Sequence, residues 1–426
     1  MPTRLLITVA LALSACGGAA PRPASPGDVV AMEEMRIVAS RNDGEYVFDS
    51  YDAGQLFERG TRLLNEGQCR EAVARFYDRI AAEFPTSRYL PAAMYNAGLC
   101  LQQGGELEAA IPYYQRVLDA AGASRDGKHA ALQLSGVLIG LERWEDARAL
   151  AERILLREDL ASAERLEGLA RRAQALLGLE RFEEAERQAR DALSYYRTRR
   201  GDEVIDEPYF AAAANFVLAE TMRLRSEGIA LPAADAHAQH AVLDARARLV
   251  LDAQREYFST IRFTDAHWAA ASGYRIGSMY DRLWHALMDA PIPPPTVEMN
   301  DATEAIYREE YRAELARHIR PLIRHAIRYW EMTLLMVERT GVRTEWTERT
   351  RGDLDRMRAL LLQDDGAEAP EGDAGSEAPA TGSPTSSLPH LPAGLRVGSE
   401  AELEPSLRSA RAPRQPTPPL AVAQAR

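Results

Sequence analysis

The chain has 426 residues, and 63 acidic against 51 basic side chains leave it with a net charge of −12. That balance excludes a protein that grips nucleic acid by neutralising phosphates with clustered Lys and Arg. Hydrophobic residues reach 46%, enough for a sizeable buried core. Ala, Leu, Arg and Glu dominate while Val and Ile are sparse, which is helix-forming composition in a chain too long for one simple core.

Residues 1–16 read MPTRLLITVALALSAC. Arg4 and the amino terminus form a positive region and Leu5 to Leu13 an apolar one, the layout of a signal peptide over 1–15. That apolar run is far short of the roughly 20 residues a helix needs to cross a bilayer core. Leu13-Ser14-Ala15-Cys16 resembles the bacterial lipobox, which implies cleavage before Cys16 and acylation of that cysteine. The competing reading is an ordinary secreted protein cleaved near Ala15. Stable anchoring takes more than one acyl chain, and the lipoproteins resembled here carry two or three. Gly17 in place of Asp after Cys16 implies, by the same resemblance, an outer-membrane address. Residues 16–51 then form a lipidated N-terminus and linker, with Gly17 to about Val30, rich in Gly, Ala and Pro, as a flexible tether.

Four segments repeat in register: Gly67-Gln-Cys-Arg-Glu-Ala72, Gly105-Glu-Leu-Glu-Ala-Ala110, Glu142-Arg-Trp-Glu-Asp-Ala147 and Glu180-Arg-Phe-Glu-Glu-Ala185, their alanines 38, 37 and 38 apart. Such a period marks stacked units, because one helical hairpin cannot bury its apolar face alone. In the first unit Leu56, Gly60 and Leu63 precede Ala72, Phe76, Ile80 and a closing Pro85. In the second, Met94, Gly98 and Leu101 precede Ala110, Tyr114 and Leu118. These residues resemble the tetratricopeptide repeat, with a small residue in helix A, an alanine in helix B and a large apolar residue four further on. The third and fourth units depart from it, with Ser135 and Ala173 for the glycines and Ala151 and Ala189 for Phe76 and Tyr114. Phe84-Pro85-Thr86-Ser87 resembles a junction of BamD-like and CpoB-like periplasmic repeat lipoproteins. The resemblance implies an all-α solenoid of stacked antiparallel helix pairs, with four repeats over 52–197.

Over 198–363 the period fades while helical patterns continue at Tyr209 to Ser226, Ala233 to Arg262, Ala266 to Asp289 and Ala302 to Thr340, and in a last helix from Thr344 to Gln363. Pro321 is expected to kink or split the fourth of these. These helices read as degenerate hairpins that extend and cap the solenoid, with Trp268, Tyr274, Tyr280, Trp284 and Trp330 filling its core; an aromatic binding patch is the alternative. The tail, 364–426, has ten prolines and no Phe, Tyr or Trp and is expected to be disordered. Its basic end carries Arg408, Arg411, Arg414 and Arg426.

No Walker A loop, G-x-S-x-G elbow, H-E-x-x-H or zinc-spaced cysteine pairs occur, so no enzyme class, cofactor or metal site is expected. His237 and His240 share a helix face but lack further ligands. Once Cys16 is acylated, Cys69 and Cys100 remain. They are expected at similar height on neighbouring antiparallel helices, either bridged or as two reduced core thiols. In repeats of this type the A helices line the concave face, which by register assigns Phe57, Thr61, Leu64, Asn65, Tyr95, Leu99, Gln102, Gln103, His129, Leu132 and Gln174 to a protein-binding groove. Rings and amides there suit a peptide or partner helix. The expected function is that of a non-catalytic outer-membrane lipoprotein scaffold facing the periplasm, binding envelope proteins and neither nucleic acid nor a small substrate. The alternatives are a BamD-like accessory factor in β-barrel assembly and an activator of a cell-wall enzyme.

Overall fold

The computed structural model describes residues 33–42, 45–199, 205, 207–295, 297–341 and 343–366. The signal peptide, Cys16, the tether and the tail beyond 366 lie outside them. Two strands come first, β1 (Met35–Asn42) and β2 (Glu45–Asp52), paired antiparallel from Met35↔Asp52 to Asn42↔Glu45. The sequence reading assigned this stretch to a linker. Asp43-Gly44 between two runs of β-formers is the strongest short-range hairpin signal, and the helical composition of the rest obscured it. Its base docks on the solenoid: Arg36 Nη2 donates to the Glu83 carbonyl (3.0 Å) and Tyr51 OH to Glu83 Oε2 (2.6 Å), with the Tyr51 and Phe84 rings edge to face.

Thirteen helices follow among the described residues. They are α1 (Ala53–Asn65), α2 (69–83), α3 (Leu90–Gln103), α4 (Leu107–Ala121), α5 (Arg125–Gly140), α6 (Trp144–Leu155), α7 (Ser162–Gly178), α8 (Phe182–Arg199), α9 (Tyr209–Glu227), α10 (Ala236–Ile261), α11 (Ala266–Met288), α12 (Asp301–Thr340) and α13 (Glu345–Gly366). Each odd-numbered helix packs against its even-numbered successor and against the next odd one. The fold is therefore an all-α solenoid of tetratricopeptide type, six hairpins long and closed by a lone A-type helix.

The A-to-B turns explain why the repeat is legible. In each, the first residue of the repeated segment holds a left-handed backbone: Gly67 (φ 75°), Gly105 (79°), Glu142 (57°) and Glu180 (58°). The next amide reaches back five residues, Gln68 to the Leu63 carbonyl and Arg181 to that of Leu176, closing a Schellman turn. Glycine is at ease there, whereas an L-residue is strained by about 1 to 2 kcal/mol. Glu142→Gly and Glu180→Gly are each expected to stabilise by about 0.5 to 1 kcal/mol, the relief of strain less the extra freedom given to the unfolded chain. Urea unfolding checks this, and a loss of stability would show that the glutamate side chains hold the turns.

Helix α2 corrects the first repeat. It contains a π-helical turn, Val73–Tyr77, between Cys69–Ala72 and Asp78–Glu83. The extra residue carries Tyr77, not Phe76, into the core. A Cβ on Gly60 would lie 2.8 Å from Tyr77 Cε1, and one on Gly98 would lie 2.9 Å from Tyr114 Cε1, so Tyr77 and Tyr114 are equivalents. In the later hairpins Trp330 does the same against Gly277, where a Cβ would meet its Cε2 at 2.6 Å.

One hydrophobic cluster runs from Ala53 to Ile154 and takes in Ala175, a second runs from Leu166 to Met357, and α7 thus contributes to both. Helix α12 passes unbroken through Pro321. Proline removes a backbone donor, but Ile319, Leu322 and Ile323 around it are buried, and that packing offsets a penalty of about 3 kcal/mol. Between α9 and α11 runs an ionic ladder: Glu220 with Arg223 (2.6 Å) and Arg275 (3.1 Å), and Glu227 with Arg223 and Arg282 (both 2.7 Å). Burial alone would raise the Glu220 pKa, but the two guanidiniums outweigh it and hold the carboxyl below its ordinary value. Helix α13 is tied down by Arg356, which bridges Asp281 (2.7 Å) and Asp353 (2.8 Å).

Candidate protein-binding groove

The inward face is built from the odd-numbered helices, and the predicted groove residues divide on it into a sealed floor and an open rim. Asn65 and Gln103 are exposed, and Thr61, Gln102, His129 and Gln174 are half-exposed. Phe57, Leu64, Tyr95, Leu99 and Leu132 are buried, which corrects their reading as open contact residues. Register fixes the direction of a side chain, not its solvent. Phe57 fills a space between the Tyr77 and Tyr89 rings (6.2 and 5.5 Å), and Tyr95 meets the Tyr114 ring edge-on at 5.8 Å.

The amides are wired to this floor. Tyr114 OH donates to Gln102 Oε1 (2.7 Å), and Gln102 Nε2 donates to Gln133 Oε1 (3.3 Å), joining α3 to α5. Gln133 was not among the predicted residues, although its position one turn from His129 is available from the sequence. Desolvation lowers the His129 pKa, so this ring is neutral near pH 7. Gln174 Oε1 is buried without a hydrogen-bond donor.

Further along, Trp330 and Tyr280 are fully buried, Trp268 nearly so, and Tyr274 and Trp284 partly. Tyr280 OH donates to Gln254 Oε1 (2.7 Å) and its ring stacks on Tyr329 at 5.7 Å. Trp330 Nε1 donates to the Tyr274 carbonyl (3.0 Å). These are core contacts, as the leading expectation had it. Cys69, at the start of α2, and Cys100, near the end of α3, are joined as a disulfide with Cα atoms 5.4 Å apart. It ties the first hairpin to the second beneath the groove.

Among the described residues no group of three or more His, Cys, Asp or Glu converges as a metal site, and no helix is long and apolar enough to cross a membrane. On the outer side, a hollow of about 870 Å³ between α2 and α4 is lined by Asp78, Leu90, Pro112, Tyr113 and Arg116. Tyr113 OH donates to Asp78 at 2.9 Å; burial, then that bond, pushes the phenol up to about 12, so it stays protonated. These residues form no nucleophile and base pair.

No protein-family model matches the chain, and no curated protein matches it. Among solved structures it is similar to a tetratricopeptide repeat protein from Parabacteroides merdae ATCC 43184, at 12% identity and a TM-score of 0.35, covering 74% of this chain and 98% of that one.

Proposed function

We propose that the protein is a non-catalytic scaffold of the bacterial cell envelope, lipid-anchored at Cys16 in the outer membrane, whose groove recruits other proteins. The observation that carries the recruiting role is the continuous inward face of seven stacked A helices, with polar side chains at the rim of its first half. Such a face offers an extended surface to a peptide or helix. The anchor rests on the Leu13-Ser14-Ala15-Cys16 motif.

Two experiments test the two parts. Cys16→Ala is expected to abolish metabolic labelling with a palmitate analogue, and retained label would sink the lipoprotein reading. Asn65→Arg with Gln103→Arg, both at exposed rim positions, is expected to cut cross-linking to partners in intact envelopes at least ten-fold. Stability should move by no more than about 0.5 kcal/mol, as for surface changes elsewhere. Unchanged cross-linking would remove the groove from the proposal. The captured proteins separate the narrower roles: β-barrel assembly subunits mark a BamD-like factor, and cell-wall synthases or hydrolases an activator of such enzymes.

A further inference from the structure

The floor of the groove is closed more completely than one layer of helices accounts for. Tyr95 is 1% exposed, Leu99 2% and Leu132 3%, although the inward positions of a solenoid face open space rather than a second layer. Tyr114 covers one side of the Tyr95 ring. A shield for all three side chains lies most simply in the groove itself. We infer that this groove takes the chain's own C-terminal segment, Leu388 to Val397, and is self-occupied until a partner displaces it. The inference rests on reading the groove as the protein-binding face.

Composition singles out this segment. Residues 367–387 contain no Leu, Ile, Val, Met or aromatic residue, whereas Leu388, Leu391, Leu395 and Val397 then fall within ten positions. Pro389-His-Leu-Pro392 has the spacing that favours polyproline II, a preformed extended shape whose carbonyls stay free for donors. Aromatic-lined grooves with side-chain donors accept such segments, and Tyr95 with the Gln102 and Gln103 amides supplies that chemistry. The N-terminal residues 17–32 carry a shorter apolar cluster, Val29, Val30 and Met32, with no Leu or aromatic residue.

Reach is sufficient. Helix α13 belongs to the inward layer and ends at Gly366. The intervening residues 367–387 extend to roughly 70 Å at about 3.3 Å each. From α13 back to α3 there are five steps between inward helices, roughly 40 to 50 Å at 8–10 Å per step. A tethered segment then acts at an effective concentration of about 1 mM, so even a weak dissociation constant of about 0.1 mM fills the groove roughly nine-tenths of the time. A partner therefore meets an approximately ten-fold affinity penalty until the tail is displaced.

The test replaces Leu388, Leu391 and Leu395 together by Asp in the full-length protein, outside the helical body. Hydroxyl-radical labelling of Tyr95 and carbethoxylation of His129 are expected to rise at least ten-fold. A fluorescent peptide of residues 386–399 is expected to bind the variant at about 0.1 mM and the wild type at least ten-fold more weakly. Unchanged labelling would mean that the helices seal the groove themselves, and it overturns the inference. Equal peptide binding to both proteins places its site elsewhere and overturns it too, as do cross-links from the groove to residues 17–32. Partner capture, read separately with the Asn65 and Gln103 variants, still stands or falls on its own, so failure of the tail contact is distinguishable from failure of the scaffold.

Discussion

Replacing Cys69 and Cys100 by Ala is expected to remove about 3 to 4 kcal/mol from the first hairpin, the loop-entropy value for a cross-link spanning roughly 30 residues. The bond joins residues 31 apart in sequence, from the first helix pair to the second. In a solenoid each unit leans only on its neighbours, and an end unit has one neighbour instead of two. The loss is therefore expected to stay local. Helices α1 and α2 should melt in a separate, earlier step while α3 onward keeps its transition. Amide exchange over 53–83 should accelerate by a few hundred-fold, which is the same free energy expressed as an opening equilibrium. Two polar ties across this junction are lighter: Tyr113 to Asp78 at 2.9 Å, and the exposed Arg70–Glu106 pair at 2.8 Å. Hydrogen exchange of the double variant decides the matter. One cooperative transition at an unchanged temperature would show that packing of Tyr77 and Met94 alone holds the end of the stack.

What the sequence made legible follows from how each feature is encoded. The period of the alanines at 72, 110, 147 and 185 is fixed by a turn that needs a left-handed residue five positions earlier and a small side chain where helices A and B touch. Those demands act at single positions, so they survive as a visible pattern. The π turn of α2 does not show in the alanines. It appears only in the distance from Gly60 to Tyr77, one residue longer than that from Gly98 to Tyr114, and the strong repeat invites Phe76 into the wrong place. The hairpin at 35–52 was hidden by its surroundings, although Asp43-Gly44 and the alternation of Ile37, Ala39, Tyr46 and Phe48 carry it. Of the kink or split expected at Pro321, the split does not occur, since a local rule yields to Ile319, Leu322 and Ile323 packed in the core. Groove residues were legible as a direction only. Register puts Tyr95 and Leu99 on the inward face, but how far that face is covered depends on partners distant in sequence.

The two halves of the stack are stabilised differently, and this affects which half carries recognition. In the first, small residues and aromatic rings interlock across A and B helices, leaving amides at the inward rim. In the second, the inward helices α9, α11 and α13 are bound to one another by the Glu220, Glu227 and Asp281 ion pairs, with Arg275 also against the Trp346 ring at 5.0 Å. Paired charges whose carboxylates are buried, as Glu220 and Asp281 are, are poor contacts for an incoming ligand, since breaking them leaves one partner buried alone. On the proposed recruiting role, the half with exposed polar side chains at its rim is the better recognition surface, and the other serves as its support.

That support is expected to weaken in acid through one side chain. His267, in the first turn of α11, is desolvated between the Tyr209 ring (6.0 Å) and the Trp268 ring (5.0 Å), and burial pushes its pKa down from 6.5 to about 4. A histidine held neutral in the fold but free to charge when unfolded favours unfolding as protons become available. Its contribution is complete above pH 6.5, declines as pH falls from there towards 4, and is constant below. The full difference is about 3 kcal/mol, and about 2 of it is lost between pH 7 and 4.5. His129, also desolvated and lowered, acts in the same direction within the first half. His267→Phe keeps an apolar ring against Tyr209 and Trp268 and cannot titrate. Urea unfolding of wild type and variant at pH 7 and 4.5 should therefore show the variant losing about 2 kcal/mol less over that interval. The difference between the two pH values cancels any constant effect of the substitution on packing. Equal losses in the two proteins would mean that the ring is wet enough to titrate normally, and the acid sensitivity of the second half would then belong to its carboxylates.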